Sequence, residues 1–213
     1  MNTHSSQSQA QAAVRGTIGY LTRIEFGEGQ SARLGALLAE LGVTRPLIAT
    51  DAGLVATGII ARVAENLGPH TIFDGTPANP TEKAVMAAWQ VYQEAGCDGI
   101  VGIGGGSSLD LAKAVRLLTG HPPPLGQYAA VNGGVARIHA DICPLIAVPT
   151  TSGTGSEAGR AAVIITADGR KLGLLSPHNL PSIALCDPEL TYGLPASLTA
   201  ATGMDAISHC LET

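Results

Sequence analysis

The 213-residue sequence predicts an α/β fold built on a parallel sheet, and three observations carry that expectation. Short apolar stretches alternate with longer ones of 3.6-residue period, the pattern of stacked strand-helix units. Apolar residues make up 45% of the chain, aromatics only 3%, and 27 glycines punctuate it, which favours closely packed elements with tight turns over disorder. Two of the apolar stretches also run into loops rich in glycine or hydroxyl groups.

Taken in order, RPLIATD (45–51) reads as a strand and AGLVATGIIARVAENLG (52–68) as one helix closed by Gly68. HTIFDG (70–75) is a second strand ending in an acid and a glycine. NPTEKAVMAAWQVYQEAG (79–96) reads as a helix capped by Asn79, with Pro80 in its first turn and Val85, Ala88, Trp89 and Tyr92 on one apolar face. Most of that helix is scaffold.

DGIVGIGGGSSLDLAKAVRLLTG (98–120) carries more information. A strand around Ile100, Val101 and Ile103 enters three glycines and two serines that open a helix. Glycines let backbone N–H groups approach a phosphate, and the helix start adds unpaired donors and a favourable dipole. The bend is not a Walker A loop and does not fit G-x-G-x-x-G, so by itself it reads equally as a turn. ICPLIAVPTTSGTGSEAG (142–159) is a strand ending at Pro149 and releasing Thr150, Thr151, Ser152, Thr154 and Ser156. Those hydroxyls suit either a sugar or pyrophosphate, or a hydrophilic loop bonded to its own backbone. AAVIITADGRKLGLLS (161–176) predicts a hairpin turning at Asp168-Gly169, and PSIALCDPEL (181–190) a last strand. The text turns helical from Ser197, placing a domain boundary near 192–196. On that helix Asp205 and His209 are four apart and share a face, as a structural pair or as two ligands of one cation.

A formal charge of −5 without a Lys/Arg cluster gives no electrostatic basis for nucleic-acid or anionic-membrane partners. Cys97, Cys143, Cys186 and Cys210 show neither C-x-x-C nor zinc-finger spacing, so each is expected to be a small buried apolar residue in a reducing, cytoplasmic setting. The opening MNTHSSQSQAQAA has no basic leader or apolar core and is expected to be a flexible tail over 1–15; no apolar run reaches membrane-spanning length.

Three blocks then resemble the group III, iron-containing alcohol dehydrogenases, in family order. GGGSSLDLAK (104–113) is similar to their GGGS-x-x-D-x-x-K segment, and PTTSGTGSE (149–157) to P-T-T-x-x-T-x-S-E. ALCDPELTYGLPASLTAATGMDAISHCLE (184–212) follows the family signature through Asp187, Pro195, Thr202, Asp205 and Glu212. The resemblance implies a Rossmann-like, NAD-binding α/β domain over 16–193, with 194–213 as the first helix of a truncated helical metal-binding domain. It implies that Gly105, Gly106 and Ser107 surround the pyrophosphate. Thr150, Thr151, Thr154, Ser156 and Leu190 would line the cofactor, with Asn79 and Lys171 also on that side. Asp51 matches the acid at the adenosine ribose; its charge would repel a 2′-phosphate and favour NAD over NADP, although it is equally natural as a helix N-cap.

Asp205 and His209 match the first two ligands of a divalent metal, Fe²⁺ first and Zn²⁺ second, the family drawing two further histidines from later in the chain. The implied activity is alcohol/aldehyde interconversion by hydride transfer on a small-molecule substrate, with no protein side chain required as a nucleophile and homo-oligomerisation left open. Two alternatives stand beside it: a nucleotide-binding fragment without turnover, and a relative of glycerol dehydrogenases or dehydroquinate synthases, against which the T-T-S-G-T-G-S-E and D-P-E-L blocks speak. All of these readings require the glycine bend and the hydroxyl-rich bend to lie side by side at the carboxyl edge of one sheet.

Overall fold

The computed structural model describes residues 22–212; the tail expected over 1–15 lies outside them. Six parallel strands form one sheet in the order β1 (Arg23–Phe26), β8 (Ile183–Cys186), β5 (Leu145–Pro149), β4 (Gly99–Gly104), β2 (Pro46–Ala49), β3 (Thr71–Phe73). The expected α/β parallel sheet is therefore present. Its middle strands are covered on both faces and so read as uninterrupted apolar runs. Successive side chains alternate faces: Leu47, Ile100 and Leu145 enter one core, whereas Ile48, Val101 and Ile146 enter the other.

On the first face lie α4 (Glu82–Glu94) and α5 (Gly106–Leu118); on the second, α1 (Leu34–Glu40) and α3 (Ile59–Ala64). α5 sits tightly on the sheet because Gly102 has no side chain: a Cβ there would lie 2.8 Å from that of Ala112. The predicted hairpin is present as β6 (Ala161–Ile165) and β7 (Lys171–Leu175), antiparallel and packed over α5. Gly169 supplies its turn with φ 80°.

Several expectations need correction. The helix expected over 52–68 is two: α2 (Ala52–Ala56) and α3, separated by Gly58 in the left-handed region at φ 78°. Gly68 lies beyond the end of both. Asn79 does not cap α4; Thr81 does, its Oγ1 accepting from the Ala84 N–H at 3.2 Å. The apolar face expected on α4 is present: Val85, Ala88 and Tyr92 are buried, and Trp89, partly buried, packs against the same core and stacks on Tyr92 with ring centroids 5.3 Å apart. None of the cysteines is fully buried: three are intermediate and Cys210 is exposed. β1 and α1 have no counterpart in the sequence reading. The terminal helix α6 runs Ala196–Glu212, begins one residue before Ser197, and has no buried residue.

Candidate functional site

The two bends do lie together. β4 and β5 are neighbours with Gly104 opposite Pro149, and the Thr150 N–H donates to the Gly104 carbonyl at 3.0 Å where both strands end. Gly104 has φ 147°, and a Cβ on it would meet Ser108 Oγ at 2.5 Å, so glycine is required for the chain to turn into α5. Gly105 opens α5 with no side-chain cap. A Cβ on Gly106 would come within 2.8 Å of Thr154 Cγ2, and one on Gly105 within 3.5 Å of Thr151. The hydroxyl-rich loop thus closes over an uncapped helix N-terminus, at the end of the sheet where α/β proteins open a ligand crevice. Ser107 Oγ donates to the Ala78 carbonyl and ties the bend to the segment before α4.

A cavity lies on each side of the bend. One, of about 340 Å³, is lined by Asp51, Gly105, Thr150, Thr151 and Leu190, with further apolar wall from Leu54 and Leu198. Asp51 caps α2 there, its Oδ1 accepting from the Leu54 N–H at 3.0 Å, so the cap reading is realised while the residue also faces the cavity. The other, of about 480 Å³, is lined by Asn79, Gly106, Ser107, Thr154, Ser156 and Lys171, and also by Asp205 and His209 from α6. Every residue that the resemblance assigns to the cofactor or the metal therefore borders one of the two cavities, whereas Ser152 of the hydroxyl-rich bend lines neither. Lys171 Nζ donates to Asn79 Oδ1 at 3.0 Å, which gives that amide a partner in the hairpin instead of a helix end.

Asp205 and His209 are close enough to share an ion, with His209 Nε2 3.8 Å from Asp205 Oδ1. Gly153 lets α6 approach the loop, since a Cβ there would lie 2.8 Å from the Thr202 carbonyl and 3.3 Å from Asp205 Oδ2. Both side chains remain substantially exposed, at 41% and 52%. Among the described residues no group of three His, Cys, Asp or Glu side chains is arranged to hold a metal.

Sequence reasoning gave no role to the buried network behind the larger cavity. Lys113, fully buried, donates to Ser156 Oγ at 2.8 Å and to the Ala161 carbonyl at 2.9 Å. Asp110 accepts from Ser156 Oγ at 2.7 Å and from the Val163 N–H at 3.0 Å, 3.8 Å from Lys113 Nζ. Together they pin the hydroxyl-rich loop and the hairpin to α5. Burial pulls the Lys113 pKa down to about 8 against the opposing pull of Asp110 and Glu157. Burial likewise raises the Asp110 pKa, opposed by the Ser156 bond and by Lys113. The three-residue spacing of Asp110 and Lys113 on one helix was the available signal. Arg160, an exposed residue that also lines the larger cavity, left no signal at all.

A family model described as iron-containing alcohol dehydrogenase matches residues 22–188, which hold both bends and the hairpin. The chain belongs to the iron-containing alcohol dehydrogenase family. Within it, the chain is 55% identical over 196 residues to the 4-hydroxybutyrate dehydrogenase of Cupriavidus necator, covering 91% of this chain and 51% of that protein. It is 37% identical to the NAD-dependent methanol dehydrogenase of Bacillus methanolicus, covering 88% of this chain and 49% of that one. Among solved structures, 1,3-propanediol oxidoreductase superposes with a TM-score of 0.84 at 34% identity, over 92% of this chain and 52% of that one. Sulfoacetaldehyde reductase from Bifidobacterium kashiwanohense, in complex with NAD⁺, gives 0.87 at 29% identity, over 94% and 53%. The chain spans about half the length of the relatives it matches. No described helix is long and apolar enough to cross a membrane.

Proposed function

We propose that this chain forms the NAD-binding part of a metal-dependent alcohol dehydrogenase acting on a small alcohol or aldehyde. The observation that carries the reading is the cradle itself: an uncapped helix start, walled by Thr151 and Thr154, in which a Cβ on Gly106 would fill the space. A pyrophosphate suits it, because backbone N–H groups and the helix dipole meet its charge without a cation. The smaller cavity suits the adenosine half, with apolar Leu54, Leu190 and Leu198 against the base and Asp51 at the ribose. The Asp51 carboxylate favours NAD over NADP by repelling a 2′-phosphate.

A divalent metal fits in part. Asp205 and His209 offer one carboxylate and one imidazole, a donor pair suited to Fe²⁺ first and Zn²⁺ second. When bound, nicotinamide supplies the hydride acceptor or donor and the metal supplies Lewis acidity at the substrate oxygen. The chain's own residues bind and orient: the bends fix the cofactor, Lys113 and Asp110 hold the hydroxyl-rich loop in place, and α6 brings Asp205 and His209 to the neighbouring cavity. We place 194–213 as the first helix of a helical metal-binding domain and 16–193 as the NAD-binding domain. Fluorescence titration of the purified chain with NADH tests the reading; saturable binding supports it, and its absence removes it. Because no third donor joins Asp205 and His209 among the described residues, the 213-residue chain is expected to form NADH from alcohols slowly or not at all, even with added Fe²⁺ or Zn²⁺.

A further inference from the structure

The larger cavity holds a cation that the cofactor reading leaves unused. Arg160 sits one residue before β6, its backbone carbonyl fixed by the Ser176 N–H at 3.1 Å and its side chain exposed at the cavity wall. The guanidinium has no hydrogen bond or ion pair among the described residues. Its neighbours are otherwise engaged. Lys171 donates to Asn79, and both oxygens of Asp110 accept bonds from Ser156 and Val163. Asp205 lies 3.8 Å from His209 on α6, which lines the same cavity. Arg170, in the hairpin turn, has by contrast a carboxylate of its own in Asp168 at 2.7 Å.

An arginine is charged at every physiological pH, and its planar fork matches a carboxylate in two parallel bonds. The uncapped start of α5 already suits the cofactor's phosphates, and the nicotinamide ring itself carries no negative charge. An anion meeting Arg160 in this cavity belongs to the substrate. A relative with 55% identity is named for a hydroxy acid, 4-hydroxybutyrate, which carries a carboxylate at one end and a hydroxyl at the other.

Resting on the NAD-dependent dehydrogenase reading, we infer that Arg160 selects a short hydroxycarboxylate, or the matching aldehyde acid, by pairing with its carboxylate while the hydroxyl end lies toward Asp205 and His209. An uncharged alcohol of the same length leaves this contact unmade. Arg160 is here a specificity residue and takes no part in bond making.

The test uses the full 213-residue chain saturated with NAD⁺, with 4-hydroxybutyrate and 1-butanol as probes in saturation-transfer NMR and competition titration. The wild type is expected to bind 4-hydroxybutyrate at least tenfold more tightly than 1-butanol. Arg160→Gln abolishes that preference, and Arg160→Lys retains part of it. Arg160→Gln unfolds at the wild-type temperature, because the side chain has no protein partner to lose. Equal binding of the two probes by the wild type, or an undiminished preference in Arg160→Gln, overturns the inference. So does a loss of NADH affinity in Arg160→Gln larger than its loss of 4-hydroxybutyrate affinity, which would assign the guanidinium to a cofactor phosphate. Failure of NADH to bind the wild type removes the proposed function itself, whereas normal NADH binding with no carboxylate preference removes only the role of Arg160.

Discussion

The glycine bend and α6 face the same cavity, yet they are built in opposite ways. At the bend, positions are over-determined: Gly104 and Gly106 have no room for a Cβ, Thr150 is bonded to the neighbouring strand, and buried Lys113 and Asp110 hold the loop from behind. On α6 no residue is buried, Met204, Ile207 and Leu211 are exposed, and Asp205 and His209 are largely open. The first region is preorganised by its own packing, so its ligand need not order it. The second offers two donors on a helix that the rest of the described chain barely supports. Cofactor binding is therefore expected to be a property of this chain by itself, and tight metal binding is not.

Stability should expose the difference most strongly. Leu111→Ala, in the core beneath the bend, is expected to cost about 2–5 kcal/mol in urea unfolding, whereas Ile207→Ala on α6 stays within about 0.5 kcal/mol. Equal costs would mean that α6 is packed as firmly as α5. Gly106→Val places branched carbons against Thr154 and is expected to weaken NADH binding about a hundredfold or more, about 2.7 kcal/mol, in a fluorescence titration. Retained affinity would show that the cofactor lies elsewhere.

Lys113 gives a pH-dependent test. Its folded pKa of about 8 lies below the ordinary 10.5, so between those values the unfolded chain binds more protons, and stability rises with pH across the window. Below about pH 8 the buried ammonium lowers stability by a constant amount. Lys113→Met should flatten that rise, read as urea midpoints between pH 8 and 10. The smallest effect is expected at Asp51: Asp51→Asn keeps the cap but removes the charge, raising NADPH affinity roughly tenfold, about 1.4 kcal/mol.

The sequence revealed what the hydrophobic pattern controls. Strands β2, β4, β5 and β8 were legible because the middle of a parallel sheet is apolar throughout, and the hairpin because Asp168-Gly169 interrupts two apolar runs. β1 was not: it is an edge strand whose Arg23 and Glu25 are joined in surface ion pairs with Glu40 and Arg33, while Ile24 and Phe26 are exposed. The break at Gly58 was hidden by an apolar period that continues through Leu54, Ile60 and Val63. Thr81 and Asn79 are both competent caps, and a contact with Lys171, ninety-two residues away, occupies the second. Site residues on the two bends could be named because the blocks that hold them resemble the family's segments; their own chemistry suited a phosphate but equally a plain turn or a hydrophilic loop. Lys113 and Arg160 could not be weighed, since whether a cation is buried and bonded or left without a partner depends on the fold.

The central claim is that the two bends bind one dinucleotide jointly. Amide hydrogen exchange of the chain with and without saturating NADH tests it most directly. Slowed exchange at Gly105, Gly106 and Ser107 together with Thr150, Thr151 and Thr154 is the expected result. Protection at one bend only, or at neither, would contradict it.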